Sequence, residues 1–195
     1  MDPRAVTLTG ALVRLEPLRD EHAPALFVAG SDEAIWRYLP RPRPRTIDEV
    51  RAWIAEAAEA ERDGRELPFA IVERNSQRAV GSTRYIDIRR AHRGLEVGWT
   101  WLGCAVQRTG VNTECKRLVL EHAFETLGAE RVQLKTDGRN SASQRAIERL
   151  GAVREGVLRR HMLTWDGVMR DTVMYSILAH EWPVVKTRLS AARAP

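Results

Sequence analysis

The stretch Glu96-Val-Gly-Trp-Thr-Trp-Leu-Gly-Cys-Ala-Val-Gln107-Arg-Thr-Gly110-Val-Asn112-Thr-Glu-Cys-Lys116 combines a strand, a turn and the start of a helix. Its first part alternates, with one side formed by Leu95, Val97, Trp99 and Trp101 and the other by Glu96, Gly98 and Thr100. This period of two is typical of a strand with two different faces. The first amides of the following helix have no carbonyl partner and carry the positive end of its dipole, so the turn predicts a diphosphate cradle.

A second strand-to-helix junction lies further along the chain. Residues 131–136 alternate between apolar and polar side chains, which predicts another strand. Asn140 or Ser141 can cap the helix that follows, and Ser141 with Gln144 has the form of a capping box. Gly151 is expected to end this helix. The chain therefore repeats the pattern of strand, polar turn and capped helix.

These two junctions resemble the GNAT acetyltransferase superfamily. The spacing Gln107-x-x-Gly110-x-Asn112 is similar to the pyrophosphate loop that binds acetyl-CoA, although Asn112 stands where the family has Gly or Ala. The spacing Asn140-x-x-Ser143, followed by a helix ending at Gly151, resembles the family's second motif. Further segments resemble the RimJ/RimL branch, whose members acetylate N-terminal amines of ribosomal proteins; they are residues 12–18, 155–160 and 170–178.

The resemblance implies a mixed α/β fold, more closely α+β, in one domain spanning residues 1–195. Its central sheet is mostly antiparallel, splayed at the coenzyme site and flanked by helices. The co-substrate is acetyl-CoA, with pantetheine pairing to backbone near the end of the strand. The residues expected to contact the coenzyme are Trp101, Leu102, Gln107, Arg108, Thr109, Gly110, Val111, Asn112, Thr113, Asn140 and Ser143.

Acetyl transfer needs a group that takes the amine proton and a donor for the departing thiolate. Glu96, on the open side of its strand, is the predicted base, and Glu66 is the alternative. Many family members place a Tyr seven residues after the Asn, where this chain has Ile147. Ser143 matches the serine that RimL-type enzymes use, and Asn140 would contact pantetheine or an ordered water. Tyr175 remains a second possible donor, although its place in a strand favours the core.

Several residue types have a structural alternative to a functional role. Trp99 and Trp101 can stack on a ligand, but their pattern favours core packing. Cys104 and Cys115 are expected to be reduced thiols, with a nucleophilic cysteine assisted by His122 as the alternative. No metal site is expected, because the Cys and His spacings complete no ligand set.

Bulk properties predict a cytoplasmic protein. The 195 residues are 44% apolar, and no apolar run approaches the roughly 20 residues of a membrane helix. The net charge is +5 and the pI is about 9.7. Arg is dispersed among 26 acids without a nucleic-acid motif, so direct nucleic-acid binding is not expected. The positive excess can instead attract an acidic coenzyme or peptide.

Hydrophobic periodicity gives the other elements. The connector between the predicted helices at 19–30 and 46–63 holds three prolines with Arg41, Arg43 and Arg45. We expect it to be a solvated linker or, alternatively, a mobile segment that faces an acidic substrate. The predicted elements are a strand at 11–17, helices at 19–30 and 46–63, a hairpin at 67–74 and 78–88, and a last hairpin at 152–163 and 169–179 turning through 165–167.

The sequence thus predicts an N-acetyltransferase that moves acetyl from acetyl-CoA to a primary amine by direct transfer. A ribosomal or other protein N-terminus, an amino acid and a small amine all fit as acceptor. The alternative is a catalytically silent GNAT-fold acyl-CoA sensor, which the departures at Asn112 and Ile147 keep open; a basic nucleic-acid binder is third. The oligomeric state, including a homodimer, stays open.

Overall fold

The computed structural model describes residues 1–191 and contains one twisted sheet within them. Its strands lie in the order β1-β2-β3-β4-β5-β6-β8-β7, and each neighbouring pair is antiparallel except β5 with β6. The strands are β1 (Leu8–Thr9), β2 (Val13–Pro17), β3 (Leu67–Glu73), β4 (Arg78–Arg89), β5 (Gly94–Leu102), β6 (Arg131–Asp137), β7 (Val153–Leu163) and β8 (Met169–Leu178).

Helices cover both faces of the sheet. They are α1 (Ala23–Ala29), α2 (Ile47–Arg62), α3 (Gly110–Glu121), α4 (Ser141–Leu150) and α5 (Trp182–Ala191). The Thr46 hydroxyl accepts from the Glu49 amide at 3.2 Å and caps α2; a cap of this kind is worth about 1 kcal/mol. Gly151 ends α4 as predicted, at φ 100°, a left-handed backbone that favours glycine.

The sheet separates two hydrophobic cores. One core packs α3, α4 and α5 against residues such as Leu95, Val97 and Tyr85. The other packs α1 and α2 against the opposite face and includes Trp53 and Trp101. Strand β5 contributes side chains to both, so its two faces serve different helices. This confirms the predicted mixed fold with helices flanking a central sheet.

Strands β5 and β6 form a fork. They pair in parallel from Gly94 to Glu96 of β5 and from Arg131 to Gln133 of β6, and the described chain holds no pair beyond these. After Glu96, β5 stays with β4 and leads towards α3, whereas β6 stays with β8 and leads towards α4. The fork is the predicted splay, and it leaves one backbone edge of β5 facing the gap.

A β-bulge near the end of β5 corrects the predicted faces. Arg84 of β4 pairs with Gly98 and Ser82 pairs with Trp101, so β5 has one extra residue in this interval. Trp99 takes the left-handed conformation, with φ 52°. Side chains after the bulge therefore point to the opposite face, and Trp101 joins the α1/α2 core. The prediction that Trp99 and Trp101 share a face with Leu95 and Val97 was wrong.

Smaller corrections concern element ends. The predicted strand at 11–17 begins at Val13, and the predicted helix at 19–30 divides into a 3-10 turn at Asp20–His22 and α1. Helix α3 continues into a π-helical turn at His122–Thr126. Asn140, rather than a Ser141 capping box, caps α4, because its Oδ1 accepts from the Ser143 amide at 3.0 Å.

Candidate active site

Glu96 is the last residue of β5 before the strands part, and its carboxylate is buried with 1% of the residue exposed. Oε2 accepts from Gln133 Nε2 at 2.9 Å and lies 3.2 Å from Lys135 Nζ. Within residues 1–191, Oε1 has no hydrogen-bond donor. Burying such an oxygen is costly unless a partner reaches it. Glu96 therefore presents a held carboxylate with one free oxygen.

Gly98 packs closely against that oxygen and against Ile86. A Cβ built on Gly98 would lie 3.0 Å from Glu96 Oε1 and 2.8 Å from Ile86 Cδ1. Residues two apart on a strand share a face, so Glu96 and Gly98 lie on the α1/α2 face of the sheet. A side chain at position 98 would therefore crowd both Oε1 and Ile86, so this position favours glycine.

The predicted diphosphate loop is exposed and ends in a capped helix. Gln107, Arg108, Thr109 and Gly110 are exposed, and Gln107 Nε2 donates to the Leu102 carbonyl at 2.9 Å. Thr109 caps α3 by accepting from the Val111 amide at 3.2 Å. Arg108 is left-handed, with φ 60°. The turn and the first turn of α3, with half-buried Asn112 and Thr113, thus face solvent at a helix N-terminus.

The start of α4 occupies the other arm of the fork. Asn140 caps the helix, and Ser143 is half-buried in its first turn. Among the residues described, the Ser143 hydroxyl has no hydrogen-bond partner, so its proton is free to turn towards a ligand. Ile147, one turn further on, is 6% exposed and belongs to the core with α5. The structure thus places Ser143 and Glu96 on the two diverging elements.

The alternative catalytic residues are engaged elsewhere. Glu66 Oε2 accepts from Arg84 Nη1 at 2.7 Å. Tyr175 is fully buried and donates to Glu148 Oε1 at 3.0 Å, and burial raises the pKa of its hydroxyl. The expectation that Tyr175 belongs to the core is confirmed.

The two thiols do not pair with His122. The exposed Cys104 donates to Asp32 Oδ2 at 3.3 Å, and this bond raises the pKa of the thiol. Cys115 is fully buried, which raises its pKa to about 11. His122 lies against Tyr85, with Nδ1 3.2 Å from the phenol oxygen. A thiolate nucleophile activated by His122 is therefore not assembled by the described residues.

Sequence reasoning missed Arg84, a charged residue in the middle of a buried strand. It is 5% exposed, and its guanidinium carbon lies 5.0 Å from the Trp53 ring and 5.1 Å from the Trp99 ring. Burial lowers the pKa of Arg84, while Glu66 opposes this. The available signal was the position of Arg84 between Thr83 and Tyr85, in the middle of a strand whose other charges lie nearer its ends. Trp99 packs against the guanidinium of Arg84 and belongs to neither hydrophobic core.

Lys116 is a second buried cation that sequence reasoning passed over. Its Nζ donates to Thr100 Oγ1 at 2.6 Å, and burial lowers its pKa. Thr100 Oγ1 also lies 2.8 Å from Thr83 Oγ1. This network joins the bulged end of β5 to α3 and to β4.

The arginine-rich connector folds onto its neighbours. Arg41 Nη2 lies 2.8 Å from Glu56 Oε2 on α2, and Arg43 Nε lies 3.8 Å from Glu33 Oε1. At the opposite side, Trp165 of the β7–β8 turn donates to the Trp36 carbonyl at 3.4 Å. The connector and the last hairpin thus border the same open half of the α1/α2 face.

Two further observations concern metals and membranes. Glu16, Glu21 and His22 form a group whose ligand atoms lie within 4.8 Å of one another, but His22 Nε2 already contacts Glu16 Oε2 at 3.3 Å. Between Met1 and Ala191, no helix is long and apolar enough to cross a membrane.

The comparison with known proteins identifies the family. Residues 13–153 match the model of the acetyltransferase (GNAT) domain, so the chain belongs to the GNAT acetyltransferase family. It is 27% identical over 164 residues to the uncharacterized N-acetyltransferase YoaA of Bacillus subtilis. The aligned residues cover 84% of this chain and 92% of YoaA.

Solved structures agree with this assignment. A GCN5-related N-acetyltransferase from Brucella melitensis superposes with a TM-score of 0.94 at 32% identity, covering 100% of this chain and 88% of that one. RimJ of Mycobacterium smegmatis, solved with CoA-disulfide, shares the fold with a TM-score of 0.83 at 23% identity, covering 98% and 95% of the two chains. The resemblance to the family that the two motifs suggested is confirmed.

Proposed function

We propose that the protein transfers the acetyl group of acetyl-CoA directly to a primary amine in a ternary complex. The observation that carries this proposal is Glu96, held at the fork by Gln133 and Lys135 with Oε1 free. A carboxylate with a fixed orientation and one free oxygen suits a base that takes the proton of an attacking amine, directly or through water.

The exposed turn before α3 supports coenzyme binding. Helix N-termini bind phosphate groups through free amides and the helix dipole. Gln107, Arg108, Thr109, Gly110, Val111, Asn112 and Thr113 would hold the diphosphate, and the free edge of β5 near Trp101 and Leu102 would pair with pantetheine. The RimJ relative was solved with CoA-disulfide, which supports the same class of ligand for this fold. When bound, acetyl-CoA supplies an activated acyl group.

Ser143 would supply the proton donor. Its hydroxyl is free in the first turn of α4, where the cap by Asn140 fixes the backbone. A donor placed at a helix start can approach the departing sulfur without a tyrosine. Asn140 keeps its amide group for pantetheine or water, since only its oxygen is used by the cap.

Acetyl transfer to a panel of amines tests the proposal, with release of the CoA thiol as the measurement. Turnover on an amino acid, a peptide N-terminus or a small amine is the expected result. Tight binding of acetyl-CoA with no turnover across a broad panel would instead identify a silent sensor. Failure to bind acetyl-CoA at all would contradict both functions.

A further inference from the structure

Arg84 carries an unused recognition edge. Its Nη1 donates to Glu66, but in the described part of the chain Nε and Nη2 have no acceptor, although both are buried. These two N–H groups share one edge of the planar guanidinium, and that edge matches the two oxygens of a carboxylate. A buried guanidinium edge without an acceptor is costly, so a matching anion would be strongly favoured there.

The surroundings of Arg84 favour an anion as well. Trp53, which packs against the guanidinium, has an indole N–H that is also buried and without an acceptor among residues 1–191. The charges near Arg84 are Glu66, which it binds, and the pair of Arg41 with Glu56. The three donors without an acceptor, Arg84 Nε, Arg84 Nη2 and Trp53 Nε1, point to an anionic ligand. The aromatic walls of Trp53 and Trp99 would exclude water from the ion pair and thereby strengthen it.

The register places Arg84 and Glu96 close together on the sheet. Arg84 pairs with Gly98 and Ile86 pairs with Glu96, so Arg84 and Glu96 are diagonal neighbours on one face of the sheet. Such neighbours lie roughly 7–8 Å apart. Gly98 between them has no side chain, and a Cβ there would crowd Glu96 Oε1. An acceptor with an amine at one end and a carboxylate at the other has the length to reach both side chains.

From this juxtaposition we infer that the acceptor is an amine that also carries a carboxylate, with its amine at Glu96 Oε1 and its carboxylate on the Nε and Nη2 edge of Arg84. The inference rests on the proposed acetyl transfer and specifies its substrate class. A free amino acid and a peptide with an acidic residue next to its N-terminus share this chemistry.

The test compares acceptors of the same shape that differ in the charge of one group, at matched concentrations of the neutral amine. L-alanine is measured against L-alaninamide, and the amidated dipeptide Ala-Asp against amidated Ala-Asn, by the kcat/KM of thiol release. The wild-type protein is expected to prefer the carboxylate in at least one pair by roughly 10- to 100-fold, the strength of charge-assisted hydrogen bonds. The pair that shows the preference identifies the amino acid or the acidic peptide.

Variants assign the preference to Arg84. Arg84→Gln should bring the ratio close to one by slowing only the carboxylate acceptor, and Arg84→Lys should keep a partial preference. Arg89→Gln is the matched control, because Arg89 lies on the same strand and its Nε and Nη2 are also buried without a hydrogen bond, while its Nε lies 3.4 Å from Asp87 Oδ2. It should leave the ratio unchanged. If Arg84→Gln does not fold, as judged by circular dichroism, the wild-type pairs and Arg84→Lys still decide.

Quenching of tryptophan fluorescence separates this inference from the proposed function, because Trp53 and Trp99 flank Arg84. Equal turnover within both pairs would overturn the inference while leaving acetyl transfer intact. Quenching by carboxylates that depends on Arg84, without turnover on any amine, would support the anion site and contradict the transfer reaction. The absence of both turnover and quenching would overturn the inference and the proposed function together.

Discussion

At the scale of single residues, the proposed chemistry depends on polar atoms that have no hydrogen-bond partner among the described residues. Glu96 has one bonded and one free oxygen, and Ser143 has a free hydroxyl in a helix that Asn140 already caps. Asn140 caps the helix in place of Ser143, and Gln133 and Lys135 hold one oxygen of Glu96. In the proposed reaction the remaining hydroxyl and oxygen contact the ligand. This division distinguishes these residues from Glu66 and Tyr175, whose polar atoms are used inside the protein.

Replacement of Glu96 by Gln tests its role as the base. The amide keeps the size of the side chain but cannot take a proton, so kcat is expected to fall about 10²- to 10⁴-fold. Binding of acetyl-CoA, measured by calorimetry, should stay unchanged. Glu66→Gln is the comparison for the alternative base; if it loses more turnover than Glu96→Gln, the assignment of Glu96 is wrong.

Replacement of Ser143 by Ala tests the donor. Its amide, not its hydroxyl, bonds to Asn140, so the helix cap and the stability should be kept. We expect kcat to fall about 10- to 100-fold or more with little change in coenzyme affinity. Ser141→Ala, a change of the same kind at an exposed position one residue after Asn140, is the control. Unchanged turnover in Ser143→Ala would remove the serine from the reaction.

At the scale of elements, the start of α3 is expected to bind the diphosphate. Asn112→Asp adds a negative charge in the first turn, where it favours the helix dipole but repels phosphates. We expect acetyl-CoA affinity to fall roughly 10-fold without loss of thermal stability, given typical Coulomb energies near a surface. Asn75→Asp makes the same change in the exposed β3–β4 turn and should leave affinity unaltered.

If both Asp variants bind acetyl-CoA as tightly as the wild type, the coenzyme's phosphates lie elsewhere. Calorimetry at two salt concentrations sharpens the comparison, since an electrostatic penalty at an exposed site weakens as salt is raised.

The sequence predicted these elements because each has a local signal. Alternation gave the strands, Thr46 preceded an amphipathic helix, and Gly151 followed one. The bulge at Trp99 escaped prediction, since a period of two continues through the sequence while the backbone shifts by one residue. Arg84 escaped for a related reason: its importance comes from Trp53 and Gly98, which only the folded sheet brings near it. The role of Ser143 and the single-domain boundary of 1–195 stay predictions.

At the scale of the whole molecule, ion pairs tie the last strands to the rest of the sheet. Glu155 of β7 accepts from Arg131 of β6 at 2.5 Å and from Ser176 of β8 at 2.8 Å. The bond with Arg131 is the main reason that the pKa of Glu155 lies at about 2, below its ordinary value of 4.5. One carboxylate thus links three strands across the second arm of the fork.

The pH dependence of stability should report this link. Because the folded pKa is depressed, the contribution of Glu155 is complete above pH 4.5 and is lost as the pH falls towards 2. Glu155→Gln should reduce the difference in free energy of unfolding between pH 6 and pH 3. The side chain is 38% exposed, so solvent screening limits the effect to about 0.5–1 kcal/mol. Urea titrations at both pH values measure the free energy of unfolding. The contribution of Glu155 would be excluded if the difference between pH 6 and pH 3 were equal in the two proteins.

The extra residue at Trp99 interrupts the alternation of side chains between the two faces of β5. Removal of Trp99 alone would restore plain alternation with Thr100 opposite Thr83 and Trp101 still opposite Ser82, so Trp101 and Leu102 would keep their present sides of the sheet. This deletion would instead straighten the strand and take from Arg84 one of its two aromatic neighbours, whereas a deletion elsewhere in β5 would exchange the side chains of the two cores.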